Sequence, residues 1–327
     1  MAGGGGRRAR GAGAWRPAFR AEQDARSAGR DVRLVREAGA ARRVSGAAER
    51  ARGGRLSRAR GDGGRQTGDV CLLVVLSRIV PEWPLIVAAN RDEQYARPAD
   101  PVMVLREQPR TLGGRDRLAG GTWLAVNEHG VVAGLTNQPM QRSPTRRSRG
   151  AIPLKLTEGA DAGHAVAAFT SSATPAEFNP CWALAADRSG LFYLDLTRAD
   201  ALVAIELEPG VYILENRALG APSPKVDRVR ARLGDVAARE PDDVLDALCA
   251  VLTDHVITAA PEGDDAWSQL VSRASACCVH TEVYGTRSSV LIRVPRAPDA
   301  PPQMWGSDGP SCTHPRRPLA TTFRNRR

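Results

Sequence analysis

The sequence predicts an α+β fold on three observations. Short runs rich in Val, Leu and Ile come as hairpin pairs early and late in the apolar part of the chain. Segments with helical spacing lie between those pairs instead of alternating with single strands, which argues against a βαβ series. No period of 20–50 residues repeats and no run of about 18 apolar residues occurs, so neither a repeat array nor a transmembrane helix is expected.

The elements follow in order. Residues 71–78 (CLLVVLSR) and 84–89 (PLIVAA) read as buried strands, with Pro81 and Pro84 flanking their turn. Asn90-Arg91-Asp92-Glu93 then ends the second strand, where a charged hairpin end with a local ion pair is the alternative to a functional role. Gly120-Gly121 lead into 122–126 (TWLAV), and Asn127-Glu128-His129-Gly130 turn the chain back as 131–136 (VVAGLT). Trp123 there suits the core better than a ligand platform. Residues 153–170 read as one helix. Strands are expected over 181–187 and 190–196, joined at Arg188-Ser189, and then over 202–207 and 211–215. Val226, Val229, Leu233 and Val236 recur at helical spacing with Arg228, Arg230 and Arg232 on other faces. Pro241 suits the first turn of a further helix that buries Val244, Leu245, Leu248 and Leu252. The last strands fall at 277–283 and 288–294. On the first of these, Cys277 and Cys278 point to opposite faces, so one is buried and the two are not a ligand pair.

Charge divides the chain differently. The net charge is +10, from 46 basic and 36 acidic residues, and residues 1–70 account for all of it with 17 arginines and seven acids. The remainder is balanced. Arg, Gly and Ala supply 47 of those first 70 residues, too little apolar surface to offset ordering entropy, so disorder is expected there. No apolar stretch follows the basic start, which excludes a secretory or twin-arginine signal, and seven acids argue against a transit peptide. An arginine-rich arm can bind phosphates without specificity, but the balanced body gives no reason to expect a specific nucleic-acid partner. The apolar pattern starts abruptly at Val70-Cys71, and valine is encoded by GUG, a usable start codon. The expected organisation is therefore an extension over 1–70 from a misplaced start, a domain over 71–294, and a Pro/Arg-rich segment over 295–327 with little sign of order.

Six cysteines (Cys71, Cys181, Cys249, Cys277, Cys278, Cys312) in a chain of 327 residues do not make a disulfide framework. None forms a CxxC pair, and the five histidines form no HExxH or HxxxH, so neither a zinc site nor any other cofactor site is expected. A reducing cytoplasm is the expected compartment. If the chain starts at Val70 and the initiator is removed, Cys71 carries both a thiol and an α-amine. An α-amine with a pKa near 8 can relay the thiol proton as base and then as acid. One residue then supplies nucleophile and base, and no catalytic histidine is needed.

Several blocks resemble a known family. VCLL and VAANRDE, then GGRDRLAGGTWLAVNEHGVVAGLTN, SRG at 148–150, FNP at 178–180, ENRALGAPSPKV at 215–226 and YGTRSS at 284–289 look like the NRDE family, that of transport and Golgi organisation protein 2. The resemblance implies an N-terminal nucleophile hydrolase fold, a four-layer αββα sandwich of two antiparallel sheets. Cysteine members of that superfamily cleave non-peptide amides. Residue by residue, the resemblance makes Cys71 the nucleophile, with Asp92 holding its α-amine and Arg91 favouring the thiolate. Asn137, Asn179 and Asn216 become candidates for an oxyanion hole, and Arg287 corresponds to a late active-site arginine. In the sequence as written the Cys71 nitrogen is an amide, so a start at Cys71 or cleavage of Val70-Cys71 has to expose it. Two functions stay open: an amidohydrolase for a small-molecule substrate, or a haem- or lipid-related carrier with haem as cargo, for which His129 is a weak ligand candidate.

Overall fold

Strand alternation sorts the apolar runs into three cores, and these cores order the layers. The structure, a computed structural model, describes residues 71–139, 143–198, 202–319 and 323, so the expectation for residues 1–70 lies outside it. In chain order the elements are β1 (Leu72–Ser77), β2 (Leu85–Gln94), β3 (Ala99–Glu107), β4 (Arg110–Asp116), β5 (Leu124–Asn127), β6 (Val132–Asn137), α1 (Ala151–Leu156), α2 (Ala162–Ser172), β7 (Cys181–Ala186), β8 (Leu191–Asp195), β9 (Val203–Glu206), β10 (Gly210–Leu214), α3 (Pro224–Leu233), α4 (Pro241–Leu252), α5 (Ala266–Arg273), β11 (Tyr284–Val294), β12 (Gln303–Asp308) and β13 (Arg317–Pro318).

Two antiparallel sheets result, ordered β10-β1-β2-β11-β12-β13 and β3-β4-β5-β6-β7-β8-β9. Leu73, Val75, Val87 and Ile292 of the first sheet meet Leu124, Val126, Val132 and Leu184 of the second in one core. The other face of the first sheet, with Leu72, Val74 and Ile86, packs on Val229 and Leu233 of α3 and on Val244 and Leu248 of α4. The outer face of the second, with Ala133, Leu135 and Ala183, packs on Ile152 and Leu156 of α1 and on Val166 and Phe169 of α2. The layers run helix, sheet, sheet, helix, which is the expected αββα sandwich. Among the described residues no helix is long and apolar enough to cross a membrane.

Local signals set several boundaries. Ser223 caps α3 by accepting from the Val226 N–H, with Pro224 in the first turn, and Gly234 ends the helix at φ 54°. In the expected turn, Gly130 adopts φ 89° and the Asn127 side chain accepts from the His129 and Val131 N–H groups.

Elsewhere the structure differs from the sequence reading. The single helix expected over 153–170 is two, because Asn127 Nδ2 donates to the Thr157 and Gly159 carbonyls and Asp161 starts α2 as its N-cap. Residues 277–283 are not a strand. Cys277 and Cys278 are both buried, and the late strand is one long β11 with a bulge between Thr286 and Ser288. The half-exposed hairpin β3–β4 and the helix α5 were not legible as apolar periods. The segment after Pro295 contributes β12, which pairs with β11 from Ser288↔Asp308 to Arg293↔Gln303 and buries Met304.

Candidate functional site

Register fixes the neighbours of Cys71. β1 pairs with β2 out to Leu72↔Asn90 and with β10 out to Leu73↔Leu214. Carrying both registers outward sets Cys71 between Arg91 on one side and Asn216 on the other. Leu73, Ala89 and Leu214 line the core between the sheets. Cys71, Arg91 and Asn216, each two residues farther along, share that face. Cys71 is buried.

Contacts across the gap agree with this placement. Arg91 is 4 % exposed, and its guanidinium lies 4.5 Å from the centroid of the Trp123 ring. Its Nη2 is 3.5 Å from Glu93 Oε2 and 3.6 Å from Asp116 Oδ2, and the same carboxylates meet Arg97 Nε at 3.4 and 2.7 Å. Arg91 Nη1 is buried and has no hydrogen-bond partner among the described residues. Asn216 Nδ2 donates to the Asn137 carbonyl at 2.6 Å, and Thr136 Oγ1 donates to the Glu215 carbonyl at 2.7 Å. These two bonds stitch the sheets together beside Cys71.

Asn90 and Asp92 face the opposite way, toward the helices. Asn90 Nδ2 donates to the Leu252 and Cys277 carbonyls at 2.9 and 2.8 Å, and its Oδ1 accepts from Ser289 Oγ at 2.6 Å. Asp92 Oδ1 accepts from Thr286 Oγ1 at 2.5 Å, while Oδ2 is buried with no hydrogen-bond partner among the described residues. Burial pushes the Asp92 carboxyl up to about 7, against the opposing pull of Lys225, the Thr286 hydrogen bond and Arg91. The NRDE tetrad therefore stands at the end of the second strand, as expected, and the alternative of a charged hairpin end does not apply. It lies within β2, buried, with its polar groups held by partners distant in sequence.

Lys225 joins this region, singled out in the sequence only as part of the ENRALGAPSPKV block. It sits at the start of α3, 2 % exposed, and its Nζ donates to the Ala274 carbonyl at 2.8 Å. One signal was available: it is one of two lysines in a chain that otherwise uses 44 arginines. A compact ammonium fits this buried position, within electrostatic reach of Asp92, where a planar guanidinium is bulkier.

The remaining candidates divide. Asn137 and Asn216 come together at the site. Asn179 instead brackets Ser143, accepting from its N–H at 2.8 Å and donating to its carbonyl at 3.1 Å. Arg287, at the β11 bulge, donates to the Gln94 and Tyr95 carbonyls at 3.1 and 2.6 Å and stacks near the Tyr95 ring, so it fastens the turn after β2. Trp123 packs against the core between the sheets and also supplies the face for Arg91. Gly121 packs directly on the Gly150 backbone, where an added Cβ would lie 2.4 Å from a carbonyl carbon. His129 is exposed in its turn.

An αββα sandwich with a buried cysteine at the head of its first strand, between an arginine and an asparagine, is the class that fold and site define. The chain belongs to the Transport and Golgi organisation 2 family, whose model matches residues 70–299. The Transport and Golgi organization 2 homolog of Mus musculus is 31 % identical over 236 residues, covering 65 % of this chain and 82 % of the mouse protein. The Bos taurus homolog is 32 % identical over 238 residues, with the same coverage. Among solved structures, a Caenorhabditis elegans ortholog of N-acylethanolamine-hydrolyzing acid amidase matches at 12 % identity and TM-score 0.43, covering 70 % of this chain and 93 % of that one. A variant of the conjugated bile acid hydrolase of Clostridium perfringens matches at 10 % identity and TM-score 0.48, covering 78 % and 94 %.

Proposed function

We propose that this chain is an N-terminal cysteine amidohydrolase for non-peptide C–N bonds, working in a reducing compartment from a mature form that begins at Cys71. What supports the reading is the register of β1 with β2, ending at Leu72↔Asn90, and with β10, ending at Leu73↔Leu214; carried outward to Cys71, it puts that residue level with Arg91 and Asn216. In this reading the Cys71 α-amine takes the Sγ proton as sulfur attacks the carbonyl carbon of the amide. Arg91 Nη1, a buried donor awaiting an acceptor, and the Asn216 amide stabilise the oxyanion. The α-ammonium then protonates the leaving nitrogen, and water releases the acid from the thioester. Asp92 Oδ2 is a buried acceptor that an ammonium at Cys71 would satisfy. The family match beginning at residue 70 is consistent with a mature start at Cys71.

The test has two stages. Intact mass of the protein expressed from its own gene should correspond to a start at Cys71; peptides from within residues 2–60 would overturn that. In the mature form, iodoacetamide should label Cys71 ahead of Cys181 and Cys277, whose thiols burial pushes up to about 12 and about 11. Cys71→Ser should lower turnover of an acyl-amide panel by at least about 100-fold while sparing binding. Amide cleavage at an undiminished rate in the Ser variant would exclude Cys71 as the nucleophile. Carriage of haem is the alternative reading, so the same pair of proteins is titrated with haem. Haem binding that Cys71→Ser weakens, with no amide cleaved by either protein, would favour carriage over hydrolysis.

A further inference from the structure

A second cluster of reactive side chains lies apart from the Cys71 face. His255, in the loop after α4, Cys278 and His280, ahead of β11, and Cys312, in the turn after β12, bring one ligand atom each within 4.8 Å of one another. Three separations are resolved: Cys278 Sγ to Cys312 Sγ is 3.7 Å, Cys278 Sγ to His280 Nε2 is 3.5 Å, and His280 Nε2 to Cys312 Sγ is 3.3 Å. A tetrahedral zinc with bonds of about 2.3 Å to sulfur and about 2.0–2.1 Å to nitrogen has S–S edges of about 3.8 Å and S–N edges of about 3.6 Å. The three distances lie within about 0.3 Å of the edges of such a tetrahedron. A disulfide would instead need the two sulfurs about 2.05 Å apart.

The fourth residue is oriented for the same purpose. His255 Nδ1 lies 3.2 Å from the Cys278 carbonyl, which can only accept, so Nδ1 carries the proton and Nε2 keeps the lone pair. Zinc-bound histidines are held this way, by a hydrogen bond on the nitrogen that does not touch the metal. The scaffold is also braced. The Cys278 N–H donates to the Asp254 carbonyl at 2.9 Å, and the Asp254 carboxylate is clamped by Arg228 at 2.6 and 3.1 Å. The Cys312 turn is closed by the Thr313 and His314 N–H groups on the Pro310 carbonyl.

We propose that His255, Cys278, His280 and Cys312 form a Cys2His2 structural zinc site. It fastens the segment after β12 to the loop whose Cys277 carbonyl and Val279 N–H hold Asn90 and Thr286, and so braces the back of the NRDE strand. Such a site departs from the expectation of no zinc site, which rested on the lack of CxxC and HxxxH spacing. Its ligands come from three segments with no CxxC, and only folding brings them together.

The full chain, purified reduced and without chelator, should contain about one zinc by elemental analysis. Cobalt substitution should give thiolate-to-cobalt charge-transfer bands with tetrahedral d–d bands. Cys312→Ser and His280→Ala should abolish both signals, whereas Cys249→Ser should keep them. His255→Ala should weaken zinc at least about 10-fold. Chelator removal from the unmodified chain gives a readout independent of any variant's folding, and it should lower the melting temperature reversibly. A reduced chain that takes up no zinc or cobalt would overturn the proposal. So would equal metal in Cys249→Ser and Cys312→Ser, or a Cys278–Cys312 disulfide in peptides from protein prepared under reducing conditions.

Discussion

Asp92 couples the NRDE strand to pH. In the full chain, where the Cys71 nitrogen is an amide, burial holds its carboxyl near 7, whereas in the unfolded chain it titrates near 3.9. The folded protein therefore keeps a proton that the unfolded chain gives up as pH rises through 4. The stability that this proton confers is fully present below about pH 4, declines as pH rises, and is gone above about 7, a change on the order of 4 kcal/mol. Asp92→Asn removes the titration. Urea unfolding of both proteins should show the variant gaining about 3 kcal/mol on the wild type between pH 5 and pH 8. Parallel pH profiles would mean that the carboxylate is solvated or neutralised within the fold.

Within β2, alternation gives two faces different tasks. Arg91 and Glu93 look into the gap between the sheets, while Asn90 and Asp92 look toward the helices. Asn90 is the structural member of the set, since it satisfies two buried carbonyls and the Ser289 hydroxyl at once. Asn90→Ala strands all three and should cost roughly 2–4 kcal/mol in chemical denaturation. Asn179→Ala releases only the Ser143 loop and should cost about 1 kcal/mol by the same measurement. Equal losses would mean that β2 has no special place in the fold. The strand's length was not legible because four polar residues in succession read as a turn. They extend a buried strand here only because α4, β11 and the Cys277 loop supply partners for Asn90 and Asp92, and Asp116, Trp123 and Arg97 supply them for Arg91 and Glu93.

At the scale of the molecule, the first sheet is extended by strands beyond the family match. That match ends at residue 299, yet β12 over Gln303–Asp308 pairs along β11 and sends Met304 into the core between the sheets. A chain ending at residue 299 loses that pairing, the Met304 side chain and Cys312. Its urea midpoint should fall by the equivalent of at least about 3 kcal/mol, because removing one buried Met side chain alone costs about 2–5. An unchanged midpoint would show β12 to be marginal to the fold.

By itself the sequence determined what depends on neighbours in the chain. Unbroken apolar runs such as 72–76 gave buried strands, Val229 and Leu233 gave the inner face of α3, Ser223-Pro224 gave its start, and Asn127–Gly130 gave a turn. Blocks of family likeness added the αββα layering and named Cys71, Arg91, Asn137 and Asn216. The tertiary structure decided where polar groups end their search for partners. It broke the 153–170 helix by inserting Asn127, drew the NRDE tetrad inside β2, buried Lys225 within electrostatic reach of Asp92, and assembled His255, Cys278, His280 and Cys312 from three segments. The reason is range. Hydrophobic period and capping act over a few residues, whereas a buried polar group is satisfied by whichever donor or acceptor strand register brings beside it, often more than a hundred residues away, as with Asn90 and Ser289.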